Sequence, residues 1–135
     1  MGIDYATTVD RHVIHLNGAY YSDINVLTDD YNSCVADGRF VRGTDWHSVI
    51  FHETGHVVAN LYHLDSMEIA KRVLNLEKRL QVLEILTEEL SLYSTENSDG
   101  SEIISECFSG YYGHSDNCFA RLFLEECKRT VKEDD

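Results

Sequence analysis

Residues 48 to 60 read Ser-Val-Ile-Phe-His-Glu-Thr-Gly-His-Val-Val-Ala-Asn, and at their centre His52, Glu53 and His56 form an H-E-x-x-H arrangement. On a helix, residues four apart share a face, so both imidazoles can aim a nitrogen at one point, with the Glu53 carboxylate beside them. Two neutral imidazoles and an adjacent acid are what a hydrolytic zinc needs from one helix. The surroundings favour a helix. Val49, Ile50, Val57, Val58 and Leu61 recur at largely helical spacing, Thr44 or Asp45 can cap its start, and no proline interrupts it. A purely structural helix with two hydrogen-bonded histidines would leave Glu53 as a costly core carboxylate.

With 135 residues the chain is expected to be one domain with a real core. Twenty-four acids against 11 bases give a formal charge of -13, which argues against a nucleic-acid-binding surface, since phosphate recognition needs clustered Lys and Arg. Cys34, Cys107, Cys118 and Cys127 form no C-x-x-C pair, so a cysteine-held structural zinc is not expected and the thiols are read as reduced. No apolar run approaches membrane-spanning length, and the first residues lack the basic-then-apolar pattern of a signal peptide. The expectation is a cytoplasmic protein, made without secretion, that engages neither membrane nor nucleic acid.

The periodicity gives an α+β chain, mostly helical. Residues 5 to 9 and 12 to 16 alternate like two strands of a small N-terminal sheet, joined by a turn at Asp10-Arg11. His12 and His15 fall on opposite strand faces and make a poor metal pair. Asn17-Gly18 marks a second turn. Ser22 or Asp23 can cap a helix carrying Ile24, Leu27, Tyr31, Cys34 and Val35, with Gly38 at its end. Arg39 to Val41 reads as a short strand, and Trp46 as the anchor that starts the motif helix, which runs to Tyr62 or Leu64. From Met67 to Leu90 a seam of Val73, Leu76, Leu80, Leu83, Leu86 and Leu90 predicts one long amphipathic helix, or two with a kink, packed on the motif helix. After a polar loop from Thr95 to Ser101, a helix opens at Ser101 or Glu102, and Ser115 or Asp116 opens the last one.

A catalytic zinc takes three protein ligands and keeps one position for water. His63 shares a face with His56 but lies about 10 Å along the axis, too far for the same ion. The three-histidine extension of the motif fails as well, since Ala59 and Tyr62 stand where it needs Gly and His. The best supplier is the helix after the polar loop, where Glu102 and Glu106 lie four apart among mostly apolar residues. With Glu102 on the metal, Glu106 can accept the second N–H of a ligating histidine and fix its tautomer.

The run from His52 to His56, then Ser91-Leu92-Tyr93, Asn97, and Glu102 to Phe108, resembles the S-x-Y-A...N...E-x-x-A-E-x-F signature that follows H-E-x-G-H in a family of zinc metallopeptidase domains. These include the catalytic domain of anthrax lethal factor and the peptidase-like domains attached to phage minor head proteins. The likeness spans residues 46 to 113, with a weaker echo in His12 to Leu16. It implies a zincin-like fold with the small sheet packed on the active-site helix, and Zn2+ held by His52, His56 and Glu102. It also implies Glu53 as general base, Glu106 behind the ligands, and the Tyr93 phenol as the group stabilising the negative oxygen. The chain departs from the pattern in a longer loop between Asn97 and Glu102, and in Ser94 and Ser105 where alanine is usual. Tyr111, Tyr112 and His114 are therefore alternatives to Tyr93.

The expected activity is zinc-dependent hydrolysis of a peptide bond in a protein or peptide substrate, which an edge strand at His12 to Leu16 would bind in extended form. One rival is a phage head- or toxin-associated zinc-binding module that acts by protein–protein interaction without proteolysis. Another is a structural domain that self-associates through the Leu-rich seam. The sequence leaves the oligomeric state open.

Overall fold

Residues 6–9, 13–17 and 23–134 are described by a computed structural model of the chain, and their architecture is mostly helical. Ala6–Val9 (β1) and Val13–Leu16 (β2) pair antiparallel, with Ala6 opposite Leu16 and Val9 opposite Val13. Tyr5, the Asp10-Arg11 turn, His12, Gly18 and Ser22 lie outside the described residues. Among the described residues six helices follow: α1 (Ile24–Ala36), α2 (Ser48–Tyr62), α3 (Ser66–Leu74), α4 (Arg79–Glu89), α5 (Ile103–Tyr112) and α6 (Cys118–Asp134), with a 3₁₀ turn at Tyr93–Thr95. No helix among the described residues is long and apolar enough to cross a membrane.

Local chemistry sets most of the boundaries. Asp23 caps α1 by accepting from the Asn25 and Val26 amides, and Gly38 follows its end at φ 78°, a left-handed conformation that suits a residue without Cβ. At the end of α2, His63 adopts φ 53°, and its N–H returns to the Ala59 carbonyl. Asp65 caps α3 through the Glu68 amide at 3.1 Å.

The stretch from Met67 to Leu90 forms two helices rather than one. Asn75 ends α3 in the left-handed conformation, and α4 restarts four residues later. The break resets the helical phase. Val82 and Leu86 are therefore fully buried, whereas Leu80, expected in the seam, is 75% exposed. The main partners of this pair are α5, α6 and the 3₁₀ turn, not α2, so the seam does not pack along the motif helix as the spacing suggested. Arg39 to Val41 is not a strand either. The Gly38 and Arg39 carbonyls accept from the Leu92 and Tyr93 amides, and Val41 closes a turn with Thr44. The last helix starts later than expected: Asn117 accepts from the Ala120 amide, while Ser115 donates instead to the Arg42 carbonyl.

Among the described residues two apolar clusters result. The larger joins α3 to α6 around Ile69, Val82, Leu86, Ile103, Ile104 and Phe123. The smaller gathers Ala6, Leu27, Tyr31, Cys34, Phe40 and Val49, with Trp46 and Tyr93 packed against it. All four cysteines are free thiols. Burial pushes the Cys127 thiol up to about 12 and Cys107 well above its ordinary value, so both fill the larger core as neutral groups.

Between the clusters, α2 and α5 run antiparallel, with His52 opposite Glu106 and His56 opposite Glu102. Gly55 permits their close approach. A Cβ there would stand 2.7 Å from the Ser105 Cα and 3.1 Å from the Ile104 carbonyl oxygen, backbone atoms that cannot yield without separating the helices.

Candidate metal centre

The helix pair brings three sequence-predicted ligands together. One oxygen of Glu102 lies 3.0 Å from His52 Nε2 and 3.1 Å from His56 Nε2. The ligand atoms of His52, His56 and Glu102 all fall within 4.8 Å of one another, close enough to hold a metal ion. Ligands about 2.0–2.1 Å from a tetrahedral zinc are separated by roughly 3.3 Å, close to the two separations between Glu102 and the histidines. The donor set, two imidazoles and a carboxylate, suits a borderline-soft divalent ion.

His52 Nδ1 donates to Glu106 Oε2 at 2.9 Å. That bond fixes the ring and leaves Nε2 facing Glu102. The second oxygen of Glu106 accepts from Ser91 Oγ at 2.7 Å. Glu106 is 1% exposed, which a carboxylate tolerates because both oxygens are hydrogen-bonded.

The electrostatics follow from this crowding of acids and imidazoles. Burial alone would lower the basicity of His52, but hydrogen bonds to Glu102 and Glu106 outweigh it and hold the imidazole up at about 10. Burial would likewise raise the Glu102 carboxyl, yet the two histidines hold it down at about 2. Without a metal the cluster therefore carries a proton on His52 that a bound cation must displace.

Of the remaining residues, Glu53 and Tyr93 lie beside this centre. Glu53 is buried on α2 and lines a cavity of about 40 Å³ together with Tyr31, Phe40, His52, Tyr93 and Glu106, room for a few waters. The Tyr93 ring meets His52 edge-on at 5.2 Å, while the Arg39 guanidinium lies 5.0 Å from the centre of the same ring. Tyr112 instead packs against Phe51, Phe108 and Tyr111, in an aromatic group apart from the ligands. His114 follows α5 at φ 63° and is not among the residues lining the cavity. His63 caps α2 and is not part of the ligand cluster.

Sequence reasoning missed three contributors. Tyr31 places its hydroxyl 3.0 Å from Thr44 Oγ1, and burial pushes its phenol above the ordinary range. Arg39 braces Tyr93 through both ring and backbone. In the sequence Ser91 is only a letter of the pattern. No periodicity announces such contacts, although three serines near a buried acid (Ser91, Ser94 and Ser105) are a usable signal. Comparison with protein-family profiles, curated proteins and solved structures finds no match to this chain.

Proposed function

We propose that the chain is a zinc-dependent endopeptidase, hydrolysing a peptide bond in a protein or peptide substrate. The observation that carries this reading is the convergence of both histidine Nε2 atoms on a single Glu102 oxygen, with Glu53 on the same helix as the histidines. We read the fold as zincin-like, with β1 and β2 as a small sheet on the active-site helix. Ala6 and Val49, buried in one cluster, support that reading.

His52, His56 and Glu102 would hold the zinc ion, which when bound would supply Lewis-acid chemistry for a scissile carbonyl and for water. Glu53 takes the proton of the attacking water and delivers it to the leaving amine. The Tyr93 phenol donates to the carbonyl oxygen as negative charge grows on it. Glu106 keeps the Nδ1 proton of His52 in place, so that Nε2 remains the ligand atom. Phe40 and Val49 give the cavity beside Glu53 apolar walls that limit water. A substrate strand added to the edge of β2 would present its backbone in extended form.

The test compares new protein termini generated by the wild-type chain and by Glu53→Gln. The variant should retain zinc and lose cleavage by about 10²- to 10⁴-fold. Cleavage persisting at the wild-type rate overturns the mechanism. Zinc bound by a wild-type chain that generates no termini would favour the non-proteolytic binding module. Glu102→Ala should weaken zinc binding; unchanged metal content would move the third ligand elsewhere, with Glu106 first in line.

A further inference from the structure

Among the described residues, Glu106 is the most deeply buried charged side chain, and its two oxygens face different partners. Oε2 accepts from His52 Nδ1 at 2.9 Å, and Oε1 accepts from Ser91 Oγ at 2.7 Å. A hydroxyl has one hydrogen to give and lone pairs to receive. With its hydrogen committed to Glu106, Ser91 Oγ accepts from the Ser94 amide at 3.1 Å. The Ser94 hydroxyl returns to the Ser91 carbonyl at 2.7 Å, closing a compact knot in which both serines are at most 2% exposed.

The knot encloses the turn that carries Tyr93. On its other side, the Leu92 and Tyr93 amides donate to the Gly38 and Arg39 carbonyls, each at 2.9 Å. The backbone around Tyr93 is therefore fixed by main-chain bonds on one side and by the Ser91 hydroxyl on the other. The same hydroxyl reaches the acid that sets the tautomer of His52.

We propose that Ser91 is a positioning residue. Its single hydroxyl orients Glu106, and through it His52, and it also fixes the turn bearing Tyr93, so one side chain sets both a metal ligand and the phenol beside it. The inference rests on the reading of His52, His56 and Glu102 as a metal site. An alanine at this position removes the donor to a buried carboxylate oxygen and the acceptor of a buried amide in one step, and leaves Glu106 free to turn away from Nδ1.

The experiment measures cobalt affinity by chelator competition, together with the visible absorption bands of the bound cobalt. It uses the full chain as wild type, Ser91→Ala, Glu106→Gln and the double variant. Partners that orient ligating histidines typically contribute 10- to 100-fold to affinity, and Ser91, one bond further out, should contribute about 5- to 10-fold. Ser91→Ala should also shift the cobalt bands, because the His52 ring is less firmly held. In the Glu106→Gln background the serine should add less, since the carboxylate oxygen that it donates to is gone. Ser91→Cys keeps a polar hydrogen on a slightly larger and weaker donor and should shift affinity in the same direction, which covers the case of an alanine variant that does not fold.

A wild-type chain that binds no cobalt overturns the metal reading and this inference with it. A wild-type chain that binds, with Ser91→Ala or Ser91→Cys within twofold of it and unchanged bands, overturns the role of Ser91 alone. Fully additive losses from Ser91→Ala and Glu106→Gln also overturn it, because they would make the serine a structural residue acting independently of Glu106.

Discussion

The two halves of this molecule are held by different physics. Around α3, α4 and α6 the buried residues are aliphatic and aromatic, and Phe123, Leu86 and Ile69 lie in a continuous apolar core. Along the contact of α2 with α5 the buried groups include Glu53, Glu106, Ser48, Ser105 and Ser109. The first region gains from removing apolar area from water. The second buries acids and imidazoles that are tolerable only because they bond to one another. The second region carries the candidate metal centre, and α5 with its N-cap residue Glu102 belongs to both: Ile103 and Ile104 face the core while Glu102 and Glu106 face the histidines.

Four changes would sharpen or break this contrast. The largest effect on stability belongs to the apolar half. Phe123→Ala should lower unfolding stability by about 4 kcal/mol in a denaturant titration while leaving the metal affinity of the folded protein within a few-fold. A large loss of affinity would mean that the two halves are not separable.

Gly55→Ala should cost about 3 kcal/mol, the upper part of the usual range for overpacking, because the added Cβ meets the Ser105 backbone. Unlike the core variant, it should also abolish metal binding, since His52 and His56 must stay within reach of Glu102. At an unconstrained helical position the same exchange would gain up to about 1 kcal/mol, so even its sign tests the tight contact.

Metal removal should expose the charge cluster. His52 is held up at about 10 against an ordinary value of 6.5, so its stabilising contribution is complete below the lower figure and lost as pH rises through the upper one. Glu102 is held down at about 2 against 4.5, so its contribution is complete above 4.5 and lost as pH falls through 2. Chelator-treated protein should therefore melt highest between these limits and lose stability towards pH 10. At neutral pH, metal binding should release about one proton, read by calorimetry in buffers of different ionisation enthalpy. Binding without proton release contradicts the charged state assigned to His52.

The smallest effect is at a helix end. Asp65→Ala removes the cap on the Glu68 amide and should cost about 1 kcal/mol in the same denaturant titration, with metal affinity untouched.

The sequence made the site more legible than its supports. His52 and His56 share a face because a helix repeats every 3.6 residues, and Glu102 and Glu106 do so for the same reason. Finding them needs only spacing and the rule that a buried acid requires a partner. The rest depends on contacts between distant segments. Leu80 fits the heptad-like seam but is exposed, because Asn75 turns left-handed and shifts the phase of α4. Arg39 to Val41 has strand-like composition but serves as the anchor for the Tyr93 turn. Ser91 and Arg39 are ordinary letters until the fold brings them to Glu106 and Tyr93. Gly55 could be noted beside the second histidine, but its reason is the Ser105 backbone on another helix.

The central claim is that His52, His56 and Glu102 together hold one zinc. The most direct test is elemental analysis of the purified full chain beside its His56→Ala variant, each dialysed against micromolar zinc and then freed of excess. One zinc per wild-type chain and little or none in the variant is the expected result. A wild-type chain without stoichiometric zinc, or a variant that keeps its full complement, would contradict it.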